Sequence, residues 1–195
     1  SLLRVIKRAS GWYAQVVVEV PAEPLSSTGE ECGIDLGLES FLTLDTGEKV
    51  GNPRLLRKAA KRLRAAQKKL SRRMKGSNRR EQAKREVGRI CEQVARKRRG
   101  FCHRLSRELV NRFDAIAHEK LNISGMARGH FAKSILDAAW SMFLFFLTFK
   151  AENAGRIRVE VDPRGTSQEC PVCGAVKPKL LSERLHSCPC GCTMP

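Results

Sequence analysis

Gly33-Ile34-Asp35-Leu36-Gly37 is the stretch on which the fold turns. With Cys32 before it, this is a short apolar run enclosing one acid. Side chains alternate along a strand, so Ile34 and Leu36 turn to a core while Asp35 turns to the open face. Gly33 and Gly37 would keep the backbone clear for a close ligand. A carboxylate held in this way suits a hard divalent cation.

Two fold classes open on such a strand, a nuclease fold and an actin-like ATPase fold. The second needs a much longer chain and further glycine-rich phosphate loops, which this sequence lacks. Outward from Asp35, Phe41 to Leu44 reads as a second strand that turns at Asp45-Thr46-Gly47, making a hairpin over Gly33 to Val50. Upstream, Leu2 to Lys7 and Trp12 to Val20 read as two strands joined at Ser10-Gly11, and Pro21 to Thr28 as a polar connection. Downstream, Asn52-Pro53 opens a helix with Pro in its first turn. Leu55, Leu56, Ala59, Leu63, Ala66 and Leu70 recur at helical spacing. Lys75-Gly76-Ser77-Asn78 breaks that pattern. A second helix is expected over Arg79 to Phe113, with Val87, Ile90, Val94, Phe101, Leu105, Leu109 and Val110 on its apolar side. Ala115 to His118 reads as a buried strand, Ser134 to Asn153 as one strongly apolar helix, and Ile157 to Val161 as a strand. The order hairpin, helical pair, strand, helix, strand is α/β and resembles a ribonuclease-H-like core with a basic helical insertion.

The net charge of +17 over 195 residues points to a polyanion, nucleic acid before an anionic membrane. The charge is unevenly placed. Arg54 to Arg112 holds 23 of the 37 Lys and Arg and 4 of the 20 acids, +19 against −2 for the rest. Arg57, Lys58, Lys61, Arg62, Lys68, Lys69, Arg72 and Arg73 repeat as adjacent pairs and wrap most of a helix face. Such density tracks a phosphate backbone without reading sequence. A merely solvated face would mix the signs more. The apolar run Ala138 to Phe149 is too short to span a bilayer and reads as a buried helix, so no membrane is expected. No signal peptide is visible, and the chain is expected to be a cytoplasmic piece of a longer protein.

Five of the eight cysteines crowd the last 26 residues. Cys170-Pro171-Val172-Cys173-Gly174 is a zinc knuckle, with two thiolates three residues apart and a glycine for the turn. Cys188-Pro189-Cys190-Gly191-Cys192 is tighter than usual, and Cys192 can stand in for Cys188 or Cys190. Cys170, Cys173, Cys188 and Cys190 are the expected zinc ligands, with His186 a further candidate. A four-thiolate site is closed and structural. Cys32, Cys91 and Cys102 read as small buried residues. Trp140, Phe143, Phe145, Phe146 and Phe149 read as core, and Arg164, Thr166 and Ser167 as a turn before the knuckle, with contact to a strand phosphate as the other reading.

His118-Glu119-Lys120-Leu121-Asn122-Ile123 supplies a second acid at a strand end. Beside the first strand, Glu119 can share a metal with Asp35, and phosphodiester hydrolysis by two metal ions needs such acids close together.

Taken in order, Gly33-Ile34-Asp35-Leu36-Gly37, Asn52-Pro53, the basic helices, His118 to Met126, Asp162-Pro163-Arg164-Gly165-Thr166-Ser167-Gln168 and the paired knuckles resemble the TnpB family of transposon-encoded proteins, related to type V CRISPR effectors. The resemblance covers nearly the whole chain. It implies a RuvC domain, directed by a guide RNA, that cuts DNA with magnesium. Asp35 matches the family's first catalytic acid and Glu119 its second. Many relatives have an apolar residue before that Glu; here it is His118. The third acid of the family follows the ribbon in an Arg-Asp pair, beyond Pro195, and Asp162 is not assigned its role. The implied division is 1–28 as the end of a wedge-like β region, 29–165 as the nuclease domain with its helical pair at about 53–113, and 166–195 as a ribbon that contacts target nucleic acid. The alternative reading is a nuclease-inactive relative that holds RNA and occupies DNA.

Overall fold

A computed structural model of the chain describes residues 2–162, 169–170, 172–177 and 186–194. Gly11, at φ 148°, turns β1 (Leu3–Arg8) into β2 (Gly11–Val16), and the two pair antiparallel from Leu3 against Val16 to Arg8 against Gly11. Val17 to Val20, expected to extend β2, lies outside any strand.

β3 (Glu31–Leu36) carries the alternation foreseen: Cys32, Ile34 and Leu36 are buried and Asp35 is exposed. It pairs antiparallel with β4 (Ser40–Leu44), which pairs with a third strand, β5 (Lys49–Gly51). β5 is an addition to the expected hairpin; three residues with a lysine and a glycine carry no period to read. The turn between β4 and β5 is Asp45-Thr46-Gly47, with Gly47 at φ 85°. The Asp45 carboxylate accepts from the N–H of Gly33 and of Thr46, both at 2.8 Å, and so ties the turn to β3.

α1 (Leu55–Ser71) starts later than Pro53 would suggest. Arg54 takes the left-handed conformation at φ 45°, its N–H held by the Asn52 side chain at 3.1 Å. The free N–H groups of Leu56 and Arg57 donate to Asp137 at 2.8 and 3.1 Å, so a distant residue caps the helix. Arg98 pairs with the same carboxylate at 2.9 Å and joins α1 to α2 (Asn78–Arg112). α2 begins where Ser77 accepts the N–H of Arg80. The helices run antiparallel, with Lys69 on Glu86 at 2.8 Å and Arg62 on Gln93. Gly88 lets the turn of the first hairpin lie against α2: a Cβ there would stand 2.7 Å from that of Ala9.

β6 (Ala115–Glu119) enters the sheet parallel to β3. Then come α3 (Ile123–Met126), α4 (Ala132–Ala138), α5 (Trp140–Asn153) and β7 (Ile157–Val161), which pairs parallel with β6. The strand order is β5-β4-β3-β6-β7. The single helix expected over Ser134 to Asn153 is thus two, because Ala139 sits at φ 61° and breaks it. Residues 132–153 are long and apolar enough by composition to cross a membrane, yet Trp140, Phe143, Leu147 and Ala151 are packed in the protein core. There they meet Ile34, Phe41, Leu42, Cys102, Leu109 and Ile116. Burying side chains of this size contributes about 1.5–3 kcal/mol each. Phe145 and Phe149 depart from the core reading. At 66% and 59% exposed they stand on the outer side of α5, since no neighbour covers every side of a uniformly apolar helix. Cys91 is likewise exposed on α2, while Cys32 and Cys102 are buried as expected.

Arg156, at the start of β7, donates to the carbonyls of Val110 and Ser26 and to Asp114. Asp114 also accepts from Ser27, Thr28 and Gly29. One buried arginine and one acid thereby fix the end of α2, the entry to β3 and the start of β7. Last, β8 (His186–Ser187) and β9 (Thr193–Met194) form a small antiparallel ribbon.

Candidate metal and nucleic-acid sites

The parallel pairing of β3 with β6 runs from Glu31 against Ala115 to Ile34 against His118. One step further, at the C-terminal ends of both strands, are Asp35 and Glu119. Parallel neighbours in register point the same way, so the two acids share the face opposite Ile34, Leu36 and Ile116. That face is open around them. Asp35 is exposed, Glu119 is half-buried, and Ile157, Val159 and Val161 of β7 are exposed. The Glu119 carboxyl is pushed above its ordinary value, first by burial and then by the negative charge of Asp35. A cation held between the two would offset that repulsion.

The glycines flanking Asp35 act differently from expectation. Gly33 faces the Asp45 side chain rather than a ligand space. At Gly37 a Cβ would stand 3.0 Å from the carbonyl oxygen of Ser40, so this glycine serves the tight turn into β4.

The backbone of Glu119 is held on several sides. Its carbonyl accepts the N–H of Leu121 at 3.0 Å and lies 2.9 Å from Nδ1 of His118, while the next N–H, of Lys120, donates to Val161 at 2.8 Å. Sequence reasoning noted His118 before Glu119 but gave it no role, and passed over Arg158 and Glu160. The available signal was a histidine at an inward strand position, opposite two charged residues that alternate on the neighbouring strand.

The sulfurs of Cys170, Cys173, Cys188 and Cys190 all lie within 4.8 Å of one another. Cys170 stands 3.6 Å from Cys190 and Cys173 stands 3.5 Å from Cys188. Each half is a tight turn: Gly174 (φ 70°) donates to the Cys170 carbonyl at 2.8 Å, and Gly191 (φ 88°) to that of Cys188 at 3.0 Å. Backbone N–H groups of Cys173 and Val172 point at the Cys170 sulfur and, with help from neighbouring thiols, hold its pKa down at about 6. Four soft donors in one cluster fit zinc. Cys192 is within reach of Cys170 as well. The His186 side chain, Arg164, Thr166 and Ser167 lie outside the described residues.

On α1, Arg57, Lys58, Lys61, Arg62, Lys68 and Lys69 are exposed, whereas Arg72 (exposed) and Arg73 (half-buried) lie just past its end at Ser71 and so off the helix face expected for them. Lys69 and Arg62 turn toward α2, where Glu86 and Gln93 meet them. The other cations of the predicted set stand clear of those two contacts.

Residues 15–129 match the family model OrfB_IS605, described as "Probable transposase", and residues 140–195 match the Cas12f1-like TNB domain. The mixed sheet with its packed helices makes the molecule an α/β protein, with two acids at adjacent strand ends and a four-thiol cluster that could hold a metal ion. In particular, the chain belongs to the OrfB family of IS605-type transposon proteins, the family the sequence resembles as TnpB. Two curated relatives carry the name "Putative RNA-guided DNA endonuclease". One, from Streptomyces pristinaespiralis, is 36% identical over 187 residues, which is 94% of this chain and 46% of the relative. The other, InsQ of Escherichia coli K12, is 28% identical over 195 residues, covering 91% of this chain and 48% of the relative. The chain spans about half the length of these relatives. Among solved structures it is similar to a chain of the Cas12f1-sgRNA-target DNA complex, with TM-score 0.50 and 19% identity over 89% of this chain and 45% of that one. It is also similar to a chain of the CRISPR-Cas12f ternary complex, with TM-score 0.53 and 22% identity over 85% and 35%. At these identities the likeness speaks for the fold.

Proposed function

We propose that this chain is the catalytic half of an RNA-guided DNA endonuclease, with a RuvC-type core at 29–165, a zinc ribbon at 166–195 and the end of a wedge-like β region at 1–28. The observation that carries the reading is the placement of Asp35 and Glu119 at matching ends of adjacent parallel strands, with Glu119 feeling the charge of Asp35. The strand order and the helical insertion between β5 and β6 support the ribonuclease-H-like assignment. The names of the curated relatives support the activity.

Asp35 and Glu119 offer hard oxygen donors for magnesium, which would supply charge to activate a water and to stabilise the leaving oxygen of a phosphodiester. The chain's own part is geometric and electrostatic. Two paired strands fix the acids, which would meet the cation as carboxylates. The cations of α1 hold a phosphate backbone by charge, positioning it without reading bases. Cys170, Cys173, Cys188 and Cys190 would hold zinc in a closed site. In so small a ribbon that binding, about 10–16 kcal/mol in comparable peptides, is the folding energy.

The test is cleavage of labelled DNA by the full-length protein with its co-purified RNA, with magnesium and with EDTA. Magnesium-dependent cutting supports the nuclease. RNA-dependent DNA binding without cutting would favour the inactive, DNA-occupying alternative.

A further inference from the structure

His118 is 3% exposed and sits at an inward position of β6, two residues from Ile116 in the core. Its two nitrogens have different partners. Nδ1 is 2.9 Å from the carbonyl oxygen of Glu119, and Nε2 is 2.7 Å from Nη1 of Arg158. A carbonyl only accepts and a guanidinium only donates, so the partners assign the tautomer: Nδ1–H donates to Glu119 and Nε2 accepts from Arg158. Arg158 in turn donates to Glu160 at 2.7 Å. Both residues come from β7, where Arg158 pairs with Ile116 and Glu160 with His118. Glu160, Arg158 and His118 form a single line of polar contacts along one face of the sheet, and it ends on the main chain of the acid that faces the other side.

We infer that His118 is a positioning residue for the Glu119 carboxylate, held in its working tautomer by the Arg158–Glu160 pair. The inference rests on the reading of Glu119 as a metal-holding acid. Glu119 is the last residue of β6, paired with Val161 of β7 but one step beyond the last pair with β3. The Nδ1–H of His118 and the N–H of Leu121 both hold its carbonyl, which fixes the peptide plane after Glu119 and so helps hold this residue on the face it shares with Asp35. Polar partners outside the ligand set orient metal ligands in this way, and their loss costs about 10–100-fold in metal affinity or activity.

The test uses the full-length protein with its guide RNA and reads DNA cleavage against magnesium concentration for His118→Asn, His118→Gln and His118→Leu. Asparagine places an N–H where Nδ1 stands, and glutamine reaches only to the Nε2 position. The expected result is that Leu and Gln raise the half-saturating magnesium or lower the rate about tenfold, while Asn recovers most of the loss and guide-RNA binding is unchanged in all three. Should the leucine variant fail to fold, the Asn and Gln variants carry the comparison, each checked by its thermal transition. Equal behaviour of Asn and Gln would overturn the positioning role, as would wild-type magnesium dependence in all variants while Asp35→Asn is inactive. A wild-type protein that never cuts with magnesium would instead overturn the nuclease reading itself.

Discussion

Asp35 and Glu119 sit one residue beyond the last parallel pair of β3 and β6, Ile34 against His118, and burial followed by the charge of Asp35 raises the carboxyl pKa of Glu119. The repulsion has a defined sign. A carboxyl whose folded pKa is raised costs nothing below its unfolded value, and the cost grows as pH rises above that value and is complete once pH has passed the folded one. Asp35→Asn and Glu119→Gln are therefore expected to abolish cleavage while leaving the metal-free thermal transition at pH 7 unchanged or higher. Differential scanning calorimetry in EDTA checks this, and a clear fall in both transitions would contradict it.

The same shift predicts the pH dependence of metal use. Glu119 must lose its proton to take a cation, so apparent magnesium affinity should weaken as pH falls toward the raised Glu119 value, above the ordinary Glu value of about 4.3. Cleavage titrated with magnesium at several pH values shows the trend. In Asp35→Asn the Glu119 carboxyl should move back toward its ordinary value, which NMR of a labelled glutamate reads directly.

Nucleic-acid binding should fall steeply with salt. For duplex DNA each cation that neutralises a phosphate contributes about 0.9 to the slope of log affinity against log salt. Replacing Arg57, Lys58, Lys61 and Lys68 together with alanine should lower that slope by about 3–4. These four stand clear of the Glu86 and Gln93 contacts made by Lys69 and Arg62, so the helix pair should stay folded. An unchanged slope would remove α1 from the interface.

Much of this arrangement was legible in the chain because it depends on local periods. Alternation placed Asp35 opposite Ile34 and Leu36, and helical spacing gave α1 and α2 with their break at Gly76. Cysteine spacing picked out the four thiols that come together. What escaped depends on tertiary partners. Arg54 in a left-handed turn and the capping of α1 by Asp137, some eighty residues away, leave no local mark. Ala139 breaks an apolar stretch that has no glycine or proline to announce it. A stripe cannot be read from α5, apolar all round, so its exposed phenylalanines looked the same as its buried ones. The His118 network was hidden because its members lie on two strands forty residues apart.

The core around α5 should be the main source of stability. Phe143 is fully buried and stacks edge-on against Phe41, ring centroids 5.3 Å apart. Phe143→Ala is expected to cost about 3–5 kcal/mol in chemical denaturation. Phe149→Ala, on the exposed side of the same helix, should change stability little.

Asp114 predicts the acid limit of the fold. Its carboxyl is held far below the ordinary value, first by the Ser27 hydroxyl and then by the N–H groups of Thr28 and Gly29. A depressed carboxyl adds stability that is complete above the unfolded value of about 3.9 and is lost as pH falls through the folded one. Asp114→Asn should lower the melting temperature at pH 7, and its deficit against wild type should shrink below about pH 4.

The ribbon should come apart from the sheet when its metal is removed. Cys170, Cys173, Cys188 and Cys190 share one cluster, whereas the β3–β6–β7 core owes nothing to them. A strong chelator is expected to release one zinc per chain and to abolish protection of the ribbon amides in hydrogen exchange, while those of α5 and β6 remain protected. Cys173→Ser should lose the metal. Cys192→Ser should keep it, because the four closest thiols already complete a tetrahedral set. If Cys192→Ser lost zinc while Cys190→Ser kept it, the ligand set would have to be redrawn with Cys192 in the place of Cys190.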